Sequence, residues 1–313
     1  MLLAAMLGLA ACSSPGSSPS AHTLAVSPSP SAPTASASSV APATPSGPAP
    51  SPTTDPAGQG SPAPVVRPGD LEGTFDVGDH ELHVECRGLG TPTVLFHNGA
   101  GSNHHEWDPI YEAVAATTRA CRYDLPNTGQ SGPLERVRTV ADDVADLHEL
   151  ERQGILAPPY VMVSFSAGAL PAWRYAMAHP DDVVGMVLTD PLLPGYDGAW
   201  AARLPDAERP AYEAQRAGDN PLRYDFTASQ ALFGDPPTLG ATPTVIVAND
   251  RHIRWEQCPD CEDLTPVAQG LINALVERAA DARAIRVTSP HWVTGTHPDL
   301  VRDEVLAMVE RAR

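Results

Sequence analysis

Positive charge is scarce in this chain of 313 residues, with 20 Lys and Arg against 38 Asp and Glu, a formal net charge of -18. Such a surface repels phosphate backbones and anionic lipid headgroups, so nucleic acid and charged membrane surfaces are poor partners. Long apolar runs are missing too: no window approaches the roughly 20 residues that a membrane-spanning helix needs. Aromatic residues, 5% overall, are absent before Phe75. From Ser13 to Pro68 the only charges are Asp55 and Arg67, while 14 of the 34 prolines fall there. A stretch of that composition cannot bury enough apolar surface to offset its ordering entropy. Residues 12–68 therefore read as a flexible Pro/Ser/Ala-rich linker, and Gly69 to Arg313 as one folded domain.

Ahead of the linker, Leu2 to Ala11 is a short apolar run that closes in Leu9-Ala10-Ala11-Cys12, small residues directly before a cysteine. It resembles the lipobox of a bacterial lipoprotein signal peptide, although no Lys or Arg precedes the run. The resemblance implies a signal peptide over residues 1–11, cleavage before Cys12 and lipidation of Cys12. Several acyl chains, at about 0.8 kcal/mol per buried methylene, then hold the protein on a membrane. A plain secretory signal is the alternative. Export places Cys86, Cys121, Cys258 and Cys261 in an oxidising compartment, where disulfides are expected. Of three connectivities, Cys86 with Cys121 and Cys258 with Cys261 is favoured, the first pair standing near the ends of predicted strands. The Cys258-Pro-Asp-Cys261 spacing lacks the second ligand pair of a zinc site and the strand and helix pattern of a redox dithiol.

Within the domain, strand-like runs alternate with helical ones. His80 to Cys86 places Leu82, Val84 and Cys86 on one face. Thr93 to Phe96, Ala120 to Tyr123, Tyr160 to Val163, Val183 to Thr189, Thr244 to Ala248 and Ala284 to Thr288 are nearly all apolar, as a sheet covered on both faces requires. Val137, Val140, Val144, Leu147 and Leu150 recur at helical spacing, as do Val301, Val305, Met308 and Val309. Strand, helix, strand in repetition means parallel pairing with right-handed crossovers. The stretch from Pro194 to Gly240, rich in Pro, Gly and Asp, is too long for an ordinary crossover and reads as a cap over the carboxyl ends of the strands. Trp107, Trp200, Tyr212 and Phe226 either line an acyl pocket or pack that cap.

The run Tyr160-Val161-Met162-Val163-Ser164-Phe165-Ser166-Ala167-Gly168 carries the chemistry. A strand enters a turn of small residues and leaves in a helix, the form of a G-x-S-x-G nucleophile elbow with its first glycine replaced by Ser164. Here the chain resembles the α/β-hydrolase family over roughly Gly73 to Val309. The resemblance implies a mostly parallel eight-stranded sheet with helices on both faces. His97-Asn98-Gly99-Ala100-Gly101-Ser102 stands at the family's oxyanion loop and implies that the amides of Ala100 and Ala167 face an oxyanion, with His97 ordering the loop. Asp124 to Ser131 is similar to the loop after the fourth strand. Ser289-Pro290-His291 to Val301 is similar to the segment that carries the base, so His291 is the expected base and His297 a surface or capping residue.

The acid departs from the common pattern, which places it several residues beyond the proline opening the seventh strand. After Pro243, Asp250 arrives about two residues early. Asp190, closing the sixth strand, occupies the place some relatives use and is preferred, with Asp250 as the alternative.

Neither a metal nor a cofactor is expected. His104-His105-Glu106 lacks the i, i+4 histidine spacing of a helical zinc site and belongs to the oxyanion loop or the cap contact. Gly99-Ala100-Gly101 lacks the lysine and glycine spacing of a nucleotide loop. The expected activity is that of an extracytoplasmic serine hydrolase cleaving a small-molecule carboxylic ester through an acyl-enzyme on Ser166. Epoxide hydrolases and haloalkane dehalogenases of this fold use aspartate where Ser166 stands. An amidase or peptidase, or a non-catalytic binding lipoprotein, is the alternative.

Overall fold

A computed structural model describes residues 69–250 and 265–313. The expected signal peptide, the expected lipidation at Cys12, the expected linker and the expected pairing of Cys258 with Cys261 lie outside the described residues.

In chain order the elements are β1 (Leu71–Asp76), β2 (Glu81–Arg87), β3 (Thr93–His97), α1 (Tyr111–Ala115), β4 (Ala120–Tyr123), α2 (Val140–Arg152), β5 (Tyr160–Phe165), α3 (Ala169–Ala178) and β6 (Val183–Thr189). There follow α4 (Tyr196–Ala201), α5 (Arg209–Arg216), α6 (Phe226–Ala231), β7 (Thr244–Asn249), α7 (Thr265–Arg278), β8 (Ala282–Val287), α8 (Val293–Thr296) and α9 (Pro298–Arg311). The eight strands form one sheet in the order β1-β2-β4-β3-β5-β6-β7-β8. β1, β2 and β4 pair antiparallel, and every later pairing is parallel.

Strand alternation divides the core into two layers. Leu95, Tyr160, Met162 and Leu188 point to the side covered by α2, α3 and α7 through Leu147, Trp173 and Ile272. Val94, Phe96, Val161 and Val163 point to the side covered by α1 and α9 through Tyr111, Val301 and Val305. The nearly all-apolar strands are thus buried on both faces, as the doubly covered sheet demands. Cys86 and Cys121 stand opposite each other in the β2–β4 pair and form a disulfide that closes 35 residues of sequence separation.

Three local expectations change. β1 was not anticipated, because its half-exposed alternation offers few apolar residues. Val137 precedes the helix it was assigned to and is exposed; α2 starts at Val140, where Thr139 caps it and exchanges hydrogen bonds with Asp142 in a capping box. Among the four aromatics, Trp107 is fully buried against Phe96 under the sheet, and Trp200 packs with Leu204, Tyr196 and Tyr212. The connection from β6 to β7 carries α4, α5 and α6. Among the described residues no helix is long and apolar enough to cross a membrane.

Candidate active site

β5 delivers Ser166 at the carboxyl edge of the sheet, between an extended Phe165 and the first turn leading into α3. Its φ is +51°, a left-handed conformation that costs a non-glycine residue roughly 1–2 kcal/mol. The turn is tight because the end of β3, the parallel neighbour of β5, lies beside it: a Cβ at Gly168 would stand 2.4 Å from the carbonyl oxygen of His97 and 2.6 Å from that of Asn98. At the other flank Ser164 is buried between its β3 and β6 neighbours, His97 and Leu188, and its hydroxyl has no partner. The replacement of the first elbow glycine is therefore accommodated sterically, with one polar atom left unmet.

His291 lies in the loop between β8 and α8, its ring 4.7 Å from that of Phe165. Its Nε2 is 3.0 Å from Ser166 Oγ and its Nδ1 is 2.5 Å from Asp190 Oδ2. In the tautomer protonated on Nδ1, the ring donates to Asp190 and accepts from Ser166. Asp190 itself has φ +41° and donates its backbone N–H to Val247 O at 2.7 Å, which turns its carboxylate over the end of β7. There Asn249 donates through Nδ2 to Asp190 Oδ2 and through its backbone N–H to Oδ1 at 3.4 Å. Asp190 is 5% exposed, whereas His291 is 48% exposed, so a buried acid holds a ring that the solvent side can reach.

Asp250 does not join this chain of bonds. Its Oδ2 accepts from Thr288 Oγ1 at 2.7 Å, and its backbone oxygen accepts from Gln269. His297 sits at the start of α9, makes no side-chain cap there, and touches Thr296 Oγ1 at 3.0 Å.

The loop after β3 lies against the elbow. A Cβ at Gly99 would meet the Phe165 ring at 2.7 Å and Ser166 Cβ at 3.5 Å. Four anchors hold this loop. Asn98 Nδ2 donates to Tyr123 O at 2.6 Å, and Asn98 Oδ1 accepts from Trp107 Nε1 at 2.9 Å. His97 is fully buried and bonded to Tyr123 Oη at 2.9 Å; burial holds its ring neutral, with a pKa down to about 3, so it orders the loop and carries no charge. Glu106 Oε2 accepts from the Gly99 N–H at 2.8 Å. Burial pushes the Glu106 carboxyl up to about 7 against the opposing pull of Gly99, Ser102 and His291. Ala100 and Ala167 then meet on the wall of one small cavity.

His104 does not ligate with its sequence neighbours but turns to Asp124, whose carboxylate accepts from its Nδ1 at 2.9 Å and its backbone N–H at 2.6 Å. Gln130 N–H donates to the same carboxylate at 2.8 Å, and Gly129, at φ +51°, has no room for a Cβ beside it. His83 completes a buried group whose ligand atoms lie within 4.8 Å of one another. With both Asp124 oxygens already bonded, the group fits a latch between the two loops better than an open cation site. Sequence reasoning had placed Glu106 with the oxyanion loop or the cap contact but not on the Gly99 N–H seven residues away, and it had not found His83 or Asn249, whose contacts span distant sequence; an asparagine ending a strand carries no local signal.

A model of the family described as "Alpha/beta hydrolase family" matches residues 94–312. The chain is 31% identical over 124 residues to the uncharacterized protein YqjL of Bacillus subtilis (strain 168), covering 39% of this chain and about half, 49%, of that protein. Among solved structures, an epoxide hydrolase from Vigna radiata superimposes with a TM-score of 0.56 at 13% identity, over 77% of this chain and 98% of that one. Cfl2 from Burkholderia cenocepacia gives 0.54 at 19% identity, over 78% and 98%. At these identities the structural likeness is one of fold: an eight-stranded, mostly parallel α/β-hydrolase sheet.

Proposed function

The chain belongs to the alpha/beta hydrolase family, and from that premise we propose that it is an extracytoplasmic serine hydrolase that cleaves a carboxylic ester through an acyl-enzyme on Ser166. The observation that carries this reading is the continuous chain of bonds from Ser166 Oγ through both nitrogens of His291 to Asp190. Ser166 attacks the ester carbonyl while His291 Nε2 takes its proton; Asp190 holds the ring in the required tautomer and offsets the imidazolium charge. The tetrahedral oxyanion lies toward the amides of Ala100 and Ala167, each donor contributing about 3 to 4 kcal/mol. His291 returns the proton to the leaving alcohol, and water repeats the sequence on the acyl-enzyme. A serine at the elbow favours this acyl transfer over the aspartate chemistry of epoxide opening.

Cys12 is the lipidated residue in this reading, holding the domain outside the cytoplasm at the end of its linker. The Cys86–Cys121 disulfide suits such an oxidising compartment. Labelling with a fluorophosphonate followed by peptide mass spectrometry is expected to place the adduct on Ser166. An adduct on another serine rejects Ser166 as the nucleophile; none in a folded preparation rejects the serine mechanism and leaves a binding role. Cys12→Ser is expected to release the protein from the membrane fraction; retention there rejects the anchor.

A further inference from the structure

The ester reading fixes where each substituent of the substrate must lie. With the carbonyl oxygen toward Ala100 and Ala167, the leaving oxygen has to face His291 Nε2, which protonates it. The acyl group then points to the opposite side. Ala100 and Ala167 also border a cavity of about 20 Å³, close to the room of a single water or methyl group, and His291 is not among its lining residues. Leu125, Leu222 and Phe226 supply apolar walls, and Arg138 and Asp143 are also part of its lining.

Neither wall nor floor is free to retreat. Arg138 Nη2 donates to Asp143 Oδ1 and Asp146 Oδ2, both at 2.6 Å, and Tyr224 Oη donates to Asp143 Oδ2 at 2.5 Å. The segment carrying Leu222 and Phe226 is tied to the same arginine by its backbone: Arg138 N–H donates to Arg223 O, and Asp225 N–H to Arg138 O, each at 2.8 Å. A longer alkyl chain would have to break these bonds or press against buried charge, and both are costly.

We propose that the site takes a short acyl group, acetyl to propionyl, and rejects longer unbranched chains. The inference rests on the ester reading, and the experiment separates the two. Wild-type protein is assayed on p-nitrophenyl esters from acetate to octanoate, alongside fluorophosphonate labelling of Ser166. In a fixed apolar pocket a surplus methylene changes kcat/KM by about 10- to 200-fold, so the expected profile peaks at acetate or propionate and falls at least tenfold by butyrate. Leu222→Ala and Phe226→Ala are expected to raise the octanoate-to-acetate ratio by about tenfold or more. Ser166 labelled together with a profile that rises toward octanoate overturns the short-acyl inference and leaves the ester reading standing. No labelling and no ester turnover overturns both. Variants that fold, turn over acetate and leave the ratio unchanged overturn the assignment of this cavity; if they do not fold, the wild-type profile decides alone.

Discussion

Asp190 and Asp146 are both buried acids that hold a histidine, at 2.5 Å from His291 Nδ1 and 3.1 Å from His80 Nε2. What surrounds the two rings differs. His80 spends its second nitrogen on another carboxylate, Asp79 at 2.7 Å, and Arg138 bonds the same Asp146 oxygen. Burial disfavours its charged form, but the bonds to Asp146 and Asp79 outweigh burial and raise its pKa. His291 instead offers its second nitrogen to a serine hydroxyl and is half exposed. An acid and a histidine in contact therefore do not make a proton shuttle. The far nitrogen must face a group that can give and receive a proton, and no fixed cation may saturate the acid.

The largest effect expected from this contrast is on turnover. Asp190→Asn should lower kcat on an accepted ester by on the order of 10⁴, because the ring loses its orienting acceptor, while Asp250→Asn stays within a few-fold. Collapse with Asp250→Asn alone would reverse the assignment. Asp146→Ala should do the opposite. Breaking a buried charge pair costs about 3 to 5 kcal/mol, and the lower end applies because Arg138 keeps Asp143. Denaturant midpoints should fall accordingly, with kcat per labelled Ser166 within a few-fold; a loss of turnover in folded protein would place Asp146 in the chemistry.

Glu106 lies between the two cases, a mostly buried carboxyl bonded to the loop beside Ser166 rather than to a histidine. Its pKa rises from an ordinary 4.5 to about 7, so in that window the folded protein keeps a proton that the unfolded chain releases. Stability should therefore fall as pH climbs from 4.5 to about 7 and then level off. The drop is about 2 kcal/mol once partial exposure is allowed for. Glu106→Gln keeps an acceptor for Gly99 and should remove that share of the slope in denaturant titrations between pH 5 and 8. An unchanged slope means the carboxyl is ionised throughout.

What could be read in the sequence were local consequences of packing. The strand, turn and helix around Ser166 are contiguous, and Gly168 is small because the end of β3 lies beside it. His291 was placed by its position after the last strand. The acid was open between two aspartates because its selection depends on Asn249, 59 positions from Asp190, filling the end of β7. The four aromatics considered for the pocket divided for a similar reason: Phe226 faces the cavity and Trp107 the core, and nothing in either residue's neighbours distinguishes them. β1 escaped because a strand with one exposed edge needs little apolar sequence.

Ser164 offers the smallest and most local test, since it is a buried polar group that neither network satisfies. Its hydroxyl is enclosed at the flank of the elbow without a partner, while its backbone oxygen accepts from Thr189 Oγ1 at 2.8 Å. An unmet buried hydroxyl costs roughly 1 to 3 kcal/mol, and Ser164→Ala removes it without touching the backbone bond or adding volume. The variant should gain about 1 kcal/mol, a rise in Tm of about 2 to 4 °C for a domain of this size, and keep kcat within a few-fold. The elbow then tolerates Ser164 at a cost, and its shape depends on a small flank rather than on the hydroxyl. A fall in Tm would mean that the hydroxyl is bonded in solution; a fall in kcat with Tm raised would tie the hydroxyl to the position of Ser166, moving Ser164 from the structural side of the comparison to the side of His291.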